Sequence, residues 1–158
     1  MSSKILLTEP SRCTGCRTCE MACSLYHEGK CSPVLSRTRV IKFESKGKNF
    51  PTICSHCAKP QCMAACSEGA ISLDSGTGAV VIDEALCTGC RTCLLACPHS
   101  QMGYNREKKV AFKCDLCGGK PQCARFCPTG AIAFRDVDEY LMARRRVLVG
   151  KAVQAAQE

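Results

Sequence analysis

The stretch CTGCRTCEMAC at residues 13–23 decides the fold, and it returns as CTGCRTCLLAC at residues 87–97. The first seven residues of the two copies are identical, and both follow the spacing C-x2-C-x2-C-x3-C. We call these the A runs. Two B runs with a wider middle gap lie at residues 54–66 (CSHCAKPQCMAAC) and 114–127 (CDLCGGKPQCARFC). The order A, B, A, B uses sixteen of the 17 cysteines and leaves only Cys31 outside.

The spacing of the cysteines predicts iron-sulfur clusters. Three thiolates two residues apart can wrap one [4Fe-4S] cubane, while a fourth on the next helical turn points toward a second cubane. Zinc sites use separated CxxC pairs, and disulfide frameworks show no such strict triplets. Sixteen thiolates in four runs would close every iron of four clusters, which favours electron transfer over catalysis at an open iron.

Composition and charge indicate the compartment of the protein and the kind of partner it binds. The apolar run in the first ten residues is too short for a signal peptide, and nowhere do 18 apolar residues run together, so we expect a cytoplasmic chain without a membrane span. Clustered cysteines in a reducing compartment are metal ligands or redox groups. The net charge of +8 would be offset by four oxidised clusters of about −2 each. We therefore expect no nucleic-acid partner.

The connections between runs indicate which runs share clusters. Between the two middle runs, residues 71–73 (ISL) and 80–82 (VVI) flank the turn DSGTG and predict a hairpin. Residues 4–8 (KILLT) and 130–135 (GAIAFR) could pair as antiparallel strands and close the chain on itself. Both features favour a nested arrangement, with the middle runs in an inner module and the outer runs in an outer one. The plain alternative pairs the first run with the second and the third with the fourth.

In the nested scheme each run exchanges its fourth cysteine with its partner run. We name the four resulting sites after the first cysteine of each triplet. The Cys13 site takes Cys13, Cys16, Cys19 and Cys127. The Cys114 site takes Cys23, Cys114, Cys117 and Cys123. The Cys54 site takes Cys54, Cys57, Cys62 and Cys97. The Cys87 site takes Cys66, Cys87, Cys90 and Cys93.

These sites predict an α+β fold in which short antiparallel hairpins and short helices surround four cubanes. The polyferredoxin domain should span residues 1–136, with an outer module of 1–30 and 112–136 and an inner module of 50–104. An arc of apolar residues predicts a C-terminal helix in the tail 137–158. That helix either packs on the cluster loops or docks onto a larger subunit.

Three residues near the runs have less direct roles. His56 and His99 could replace a thiolate, but the runs are complete, so we expect both beside the clusters or at the surface. Cys31 fits a buried, small apolar residue better than a reactive thiol.

With four complete runs in this order, the chain resembles the four-cluster electron-transfer subunits of molybdenum and tungsten bis-pterin oxidoreductases. It is also similar to the small subunits of carbon monoxide dehydrogenase and hydrogenase systems. The resemblance covers residues 1 to about 136 and implies the nested pairing, with two ferredoxin-like modules related by a pseudo-twofold. The segment KCDLCGGKPQCARFCPTGAI at residues 113–132 looks like the ferredoxin-like subunits of tungsten aldehyde oxidoreductases.

The resemblance implies a non-catalytic subunit that relays single electrons. Its partners would be a large catalytic subunit, with a Mo/W-pterin enzyme favoured, and a further electron donor or acceptor. A carbon monoxide dehydrogenase, hydrogenase or formate dehydrogenase system is the alternative. A cluster-based redox sensor or maturation factor is another class, and closed ligation argues against it. Self-association through the end clusters is also open.

Overall fold

The computed structural model describes residues 4–155, except for the side chain of Lys151. Within this range eight short strands pair as four separate two-stranded antiparallel ribbons, joined by short helices. In chain order the elements are β1 (Lys4–Thr8), α1 (Thr18–Glu28), β2 (Arg39–Phe43), β3 (Lys48–Thr52), α2 (Gln61–Ala64), β4 (Ile71–Leu73), β5 (Val80–Ile82), α3 (Thr92–Ala96), β6 (Gly103–Asn105), β7 (Val110–Phe112), α4 (Gln122–Arg125), β8 (Ile132–Asp136) and α5 (Val137–Ala155). The α+β class with short antiparallel hairpins is confirmed.

Both strand pairs predicted from the sequence form. β1 and β8 are antiparallel, with Thr8 opposite Ile132, so the first and last strands of the cysteine-bearing region lie side by side. β4 and β5 form the hairpin between the middle runs, with Ile71 opposite Ile82. The Asp74 carboxylate accepts backbone N–H bonds at the start of its turn, which fixes the tight reversal.

Two further ribbons were not anticipated. β2 pairs with β3 between the first A and B runs, and β6 pairs with β7 between the last A and B runs. The first ribbon is tied to α1, because the buried Glu20 carboxylate accepts the backbone N–H of Val40 at 2.7 Å. These ribbons hold the flanking cysteine loops at fixed separations.

The apolar core is divided into three small clusters, and cysteines are members of each. One contains Cys62, Ile71, Val80, Cys93 and Ala111. Another contains Cys19, Val40, Cys123 and Ile132. The last contains Ala79, Cys114 and Leu116. Because thiols sit inside the packed groups, the core and the candidate ligands are one structure.

The C-terminal helix forms, and α5 ends at Ala155 where the described residues end. It packs against β8 near its start, and a groove lined by Leu7, Tyr140 and Leu148 lies between α5 and the β1–β8 ribbon. Val149 and Val153, farther along, are exposed. No helix within residues 4–155 is long and apolar enough to cross a membrane.

Candidate metal centres

All 17 cysteines lie in the described part of the chain, and each is a free thiol. Three cavities each gather four of them. One is lined by Cys13, Cys16, Cys19 and Cys127. A second is lined by Cys54, Cys57, Cys62 and Cys97. A third is lined by Cys66, Cys87, Cys90 and Cys93.

Four of the five remaining cysteines form the most buried group. They are Cys23, Cys114, Cys117 and Cys123, and all four are buried. The charges of the other three act on the Cys123 thiol, whose pKa is raised first by burial and then by those neighbours. Burial likewise raises the pKa of Cys114 to about 12 and of Cys117 to about 11. Sixteen cysteines therefore stand in four groups of four.

Burial and neighbouring thiolates raise the pKa of a thiol, so the thiols in such groups stay protonated unless a cation binds among them. Burial, followed by the charges of the three facing cysteines, raises the pKa of Cys93 to about 11. Burial also raises the pKa of Cys19 to about 12, and the facing thiols Cys16 and Cys127 are among its further causes. Iron at the centre of each group would favour the thiolate form and remove this penalty. Four converging soft donors fit a [4Fe-4S] cluster, so the residues present match the cofactor expected from the spacing.

The nested ligand sets stay a prediction, and in each of the three cavities the fourth cysteine of one run lies beside the triplet of another. Cys127, from the last run, lines the cavity of the first triplet, whereas Cys66 lines the cavity of Cys87. Which iron each thiol binds stays a prediction.

The two A loops have the same local geometry. Gly15 and Gly89 both have φ of +73° in the left-handed region, and the arginines two residues later are left-handed as well. In each loop a threonine hydroxyl donates a hydrogen bond to the second cysteine. In the first loop Thr18 Oγ1 lies 3.4 Å from Cys16 Sγ, and in the second Thr92 bonds Cys90. Hydrogen bonds from that threonine lower the pKa of Cys16, and those from Thr92 do the same for Cys90.

Backbone amides also point at the fourth cysteines of three runs. The N–H of Arg37 donates to Cys23 Sγ at 3.3 Å. The N–H of Gln101 donates to Cys97 Sγ at 3.4 Å, and the N–H of Ile132 donates to Cys127 Sγ at 3.4 Å. Such bonds stabilise thiolates and help set the reduction potential of a bound cluster.

Contacts between the groups place them in one linear order. Cys19 and Cys123 share a core cluster, so the Cys13 and Cys114 groups are neighbours. Cys54 packs against the core cluster that contains Cys114, so the Cys114 and Cys54 groups are neighbours as well. The Cys54 group then meets the Cys87 group, because Cys62 packs with Cys93.

The two ends of this series reach the surface through Cys16 and Cys90, both of which are exposed. Cys31 is exposed as well, so its predicted burial is wrong. α1 ends at the left-handed Gly29, and Cys31 follows in the loop beyond it.

Ionisable side chains that the sequence did not mark as important lie around the Cys114 group. His27 Nε2 lies 3.4 Å from Asp115 Oδ1 and 3.5 Å from Cys117 Sγ. The His27, Asp115 and Cys117 side chains are close enough together to bind a metal ion. Because Cys117 already belongs to the Cys114 group, we interpret His27 as a neighbour of that group and not as a ligand of a separate ion. Burial, then the charge of Arg37, lowers the pKa of His27. Nothing in the spacing of the sequence marks this histidine.

His56 lines the Cys54 cavity, as expected for a residue beside a cluster. Its Nδ1 accepts the backbone N–H of Val80 at 3.1 Å. Burial, followed by the charge of Lys113, lowers the pKa of His56 to about 4, so the ring is neutral at pH 7.

Comparison with known families gives two matches. The family described as "4Fe-4S dicluster domain" matches residues 45–137, and the one described as "4Fe-4S binding domain" matches residues 10–26. The first covers more than half of the chain and three of its cysteine runs. The second covers the remaining run.

Curated relatives extend these matches over most of the chain. The aliphatic sulfonate oxidoreductase polyferredoxin-like subunit of Pyrococcus furiosus is 43% identical over 77% of this chain and 70% of its own length. A subunit of the anaerobic dimethyl sulfoxide reductase of Escherichia coli is 36% identical over 83% and 72%. Electron transport protein HydN of Escherichia coli is 34% identical over 91% and 95%.

Proposed function

This chain belongs to the 4Fe-4S dicluster family of iron-sulfur electron-transfer subunits, and on that premise we propose that it holds four [4Fe-4S] clusters. The Cys13, Cys114, Cys54 and Cys87 sites are the proposed ligand sets. An outer module of residues 1–30 and 112–136 would carry the first two, and an inner module of 50–104 the other two. The observation that carries the proposal is the presence of four four-thiol groups, each in contact with the next.

The proposed activity is the relay of single electrons from one end of this series to the other. When bound, each cluster takes up and releases one electron at a potential that its surroundings set. The chain's own part is to keep the groups adjacent and to bury the Cys114 group. At the two ends it leaves Cys16 and Cys90 open to partners. Every proposed iron has a cysteine ligand, so substrate chemistry has no open position here.

The partners we propose are a catalytic oxidoreductase subunit at one end and a second electron donor or acceptor at the other. Relatives named as subunits of a sulfonate oxidoreductase and of dimethyl sulfoxide reductase support the catalytic partner. We propose, more narrowly, that this partner is a molybdenum or tungsten pterin enzyme, on the resemblance of the cysteine runs. An aldehyde oxidoreductase is the narrowest form of this proposal. Free thiols suit a reducing compartment, and we propose the cytoplasm.

Metal analysis and a reductive titration of anaerobically purified protein test the cofactor and the relay together. We expect about 16 iron atoms and as many acid-labile sulfides per chain. Stepwise reduction followed by reoxidation should restore the original spectrum. Far less iron, or loss of the clusters on reduction, would contradict the proposal. Purifying the native complex and measuring its molybdenum and tungsten tests the partner.

A further inference from the structure

Lys113 is a buried cation next to a candidate ligand. It follows β7, directly precedes Cys114 and is only 4% exposed. Its Nζ donates to the carbonyl oxygens of Val80 and Cys114, the latter at 3.0 Å. Among residues 4–155, no carboxylate lies within ion-pair distance of this ammonium group. A buried charge without a paired anion is strongly unfavourable, so something else must balance it.

The ammonium group lies between the two middle groups of cysteines. Lys113 lines the cavity of the Cys54 site and borders the Cys114 site through the neighbouring residue. Its charge acts on Cys62 of the first and on Cys114 of the second. One cation therefore faces two candidate clusters at once.

The matching position in the other B run is apolar. Ile53 precedes Cys54 as Lys113 precedes Cys114, and Ile53 packs into the core clusters. The cation is thus absent from one of two otherwise equivalent positions, so the B-run loop does not itself require a lysine there.

Other cations near the Cys114 group already have anionic partners. Arg37 lies 3.8 Å from Glu28, and Lys108 lies 3.1 Å from Glu28 and 3.4 Å from Glu84. Their charges are largely balanced within the protein. The positive charge of Lys113, in contrast, would be balanced by the negative charge of the clusters.

We propose that the Lys113 ammonium group is the shared counter-charge of the Cys114 and Cys54 sites and raises the reduction potentials of the clusters they hold. This inference rests on the proposed function. Reduction adds one electron to a cluster and no proton to Lys113, so a fixed positive charge favours the reduced form. Because the group is buried, salt screens this effect little. The two middle sites would then hold an electron more readily than their thiol sets alone would allow.

Potentiometric titration of the holoprotein, followed by electron paramagnetic resonance, tests this role. The variants are Lys113→Gln, which removes the charge, and Lys113→Arg, which keeps it. Lys120→Gln is the matched control, since it removes an exposed lysine from the same run. We expect Lys113→Gln to lower two of the four midpoint potentials at low and high salt alike. Lys113→Arg and Lys120→Gln should leave all four where they are.

The possible failures differ. Wild-type protein with fewer than four clusters contradicts the proposed function and removes the basis of this inference. A fully loaded Lys113→Gln protein with unchanged potentials, or with all four lowered equally, contradicts the inference alone. If Lys113→Gln loses iron, the Lys113→Arg variant becomes the test. Full iron content and wild-type potentials in Lys113→Arg would support a role of the positive charge. Loss of iron in Lys113→Arg would overturn the inference.

Discussion

The two A runs begin with the same seven residues and end differently. Their loops have matching left-handed positions, but α1 continues for 11 residues whereas α3 stops after five. Pro98 follows the last cysteine of the second run, and Ser24 stands at that place in the first. Proline lacks an N–H and pushes the residue before it out of the helical region, and Cys97 is indeed extended. One residue thus accounts for the difference in helix length.

The longer helix changes the surroundings of a cluster site. The extra turns of α1 bring His27 against Cys117 and Glu28 against Arg37, which helps enclose the Cys114 site. The short α3 provides no such cover, and Cys97, the fourth cysteine of its run, is only half-buried, whereas Cys23 is buried. The shared motif fixes the ligand loop, and the residues after it fix the environment of the cluster.

The largest expected effect is that of Ser24→Pro, which gives the first run the ending of the second. Ser24 is fully buried, and its hydroxyl accepts the N–H of Ser32 at 2.9 Å and donates to the carbonyl of Met21. Proline inside a helix lowers the free energy of unfolding by about 3 kcal/mol or more, and the lost buried hydrogen bonds add about 1–3 kcal/mol. Thermal unfolding of the holoprotein, followed by circular dichroism, measures the change.

The reciprocal change, Pro98→Ser, is the control for that experiment. Pro98 is exposed, so its loss should change the free energy of unfolding by less than about 1 kcal/mol. Equal thermal midpoints for Ser24→Pro and wild type would show that the ending of the run does not control α1.

A smaller difference should separate Gly89→Ala from Gly15→Ala, although the two loops share their sequence. Both substitutions place a side chain in the left-handed region, which should lower the free energy of unfolding by about 1–2 kcal/mol in each case. At Gly89 the new methyl would overlap the backbone carbonyl oxygen of Lys109, which cannot swing away. At Gly15 it would meet the Asn49 side-chain oxygen, which can rotate. We expect about 1–3 kcal/mol more destabilisation at Gly89, measured by thermal midpoints. Equal midpoints would refute the backbone explanation.

The smallest effect concerns His27, which α1 has and α3 lacks. Because burial lowers the pKa of His27, the ring is neutral at pH 7 and has a single N–H to donate. If that N–H points at Cys117 Sγ, His27→Phe should lower the midpoint potential of one cluster and leave the iron content unchanged. His27→Gln keeps a donor and should restore part of the shift. Unchanged potentials in both variants would leave His27 a packing role only.

Much of the fold follows from patterns that are local in the sequence. The β4–β5 hairpin was predictable because apolar residues alternate around a turn with aspartate and glycine. The β2–β3 ribbon was not, because lysines and Pro51 obscure its alternation. The β6–β7 ribbon was not predictable either, because residues 106–109 (REKK) between its strands contain no glycine, proline, asparagine or aspartate to mark a turn.

The candidate ligands were predictable for a related reason, since their spacing repeats along the chain. Lys113 and His27 were not, because their importance comes from distant neighbours. The Lys113 ammonium group meets Val80, which is 33 positions away, and His27 meets Cys117, which is 90 away. No local pattern encodes such pairs.

The exchange of fourth ligands is the central claim, and counting intact [4Fe-4S] clusters in paired alanine variants tests it most directly. Cys127→Ala and Cys13→Ala should each lose one cluster, and because they share a site the double variant should lose no more than either alone. Combining Cys127→Ala with Cys87→Ala should instead remove two. A double variant of Cys127 and Cys13 that loses two clusters, or one of Cys127 and Cys87 that loses only one, would contradict the nested arrangement.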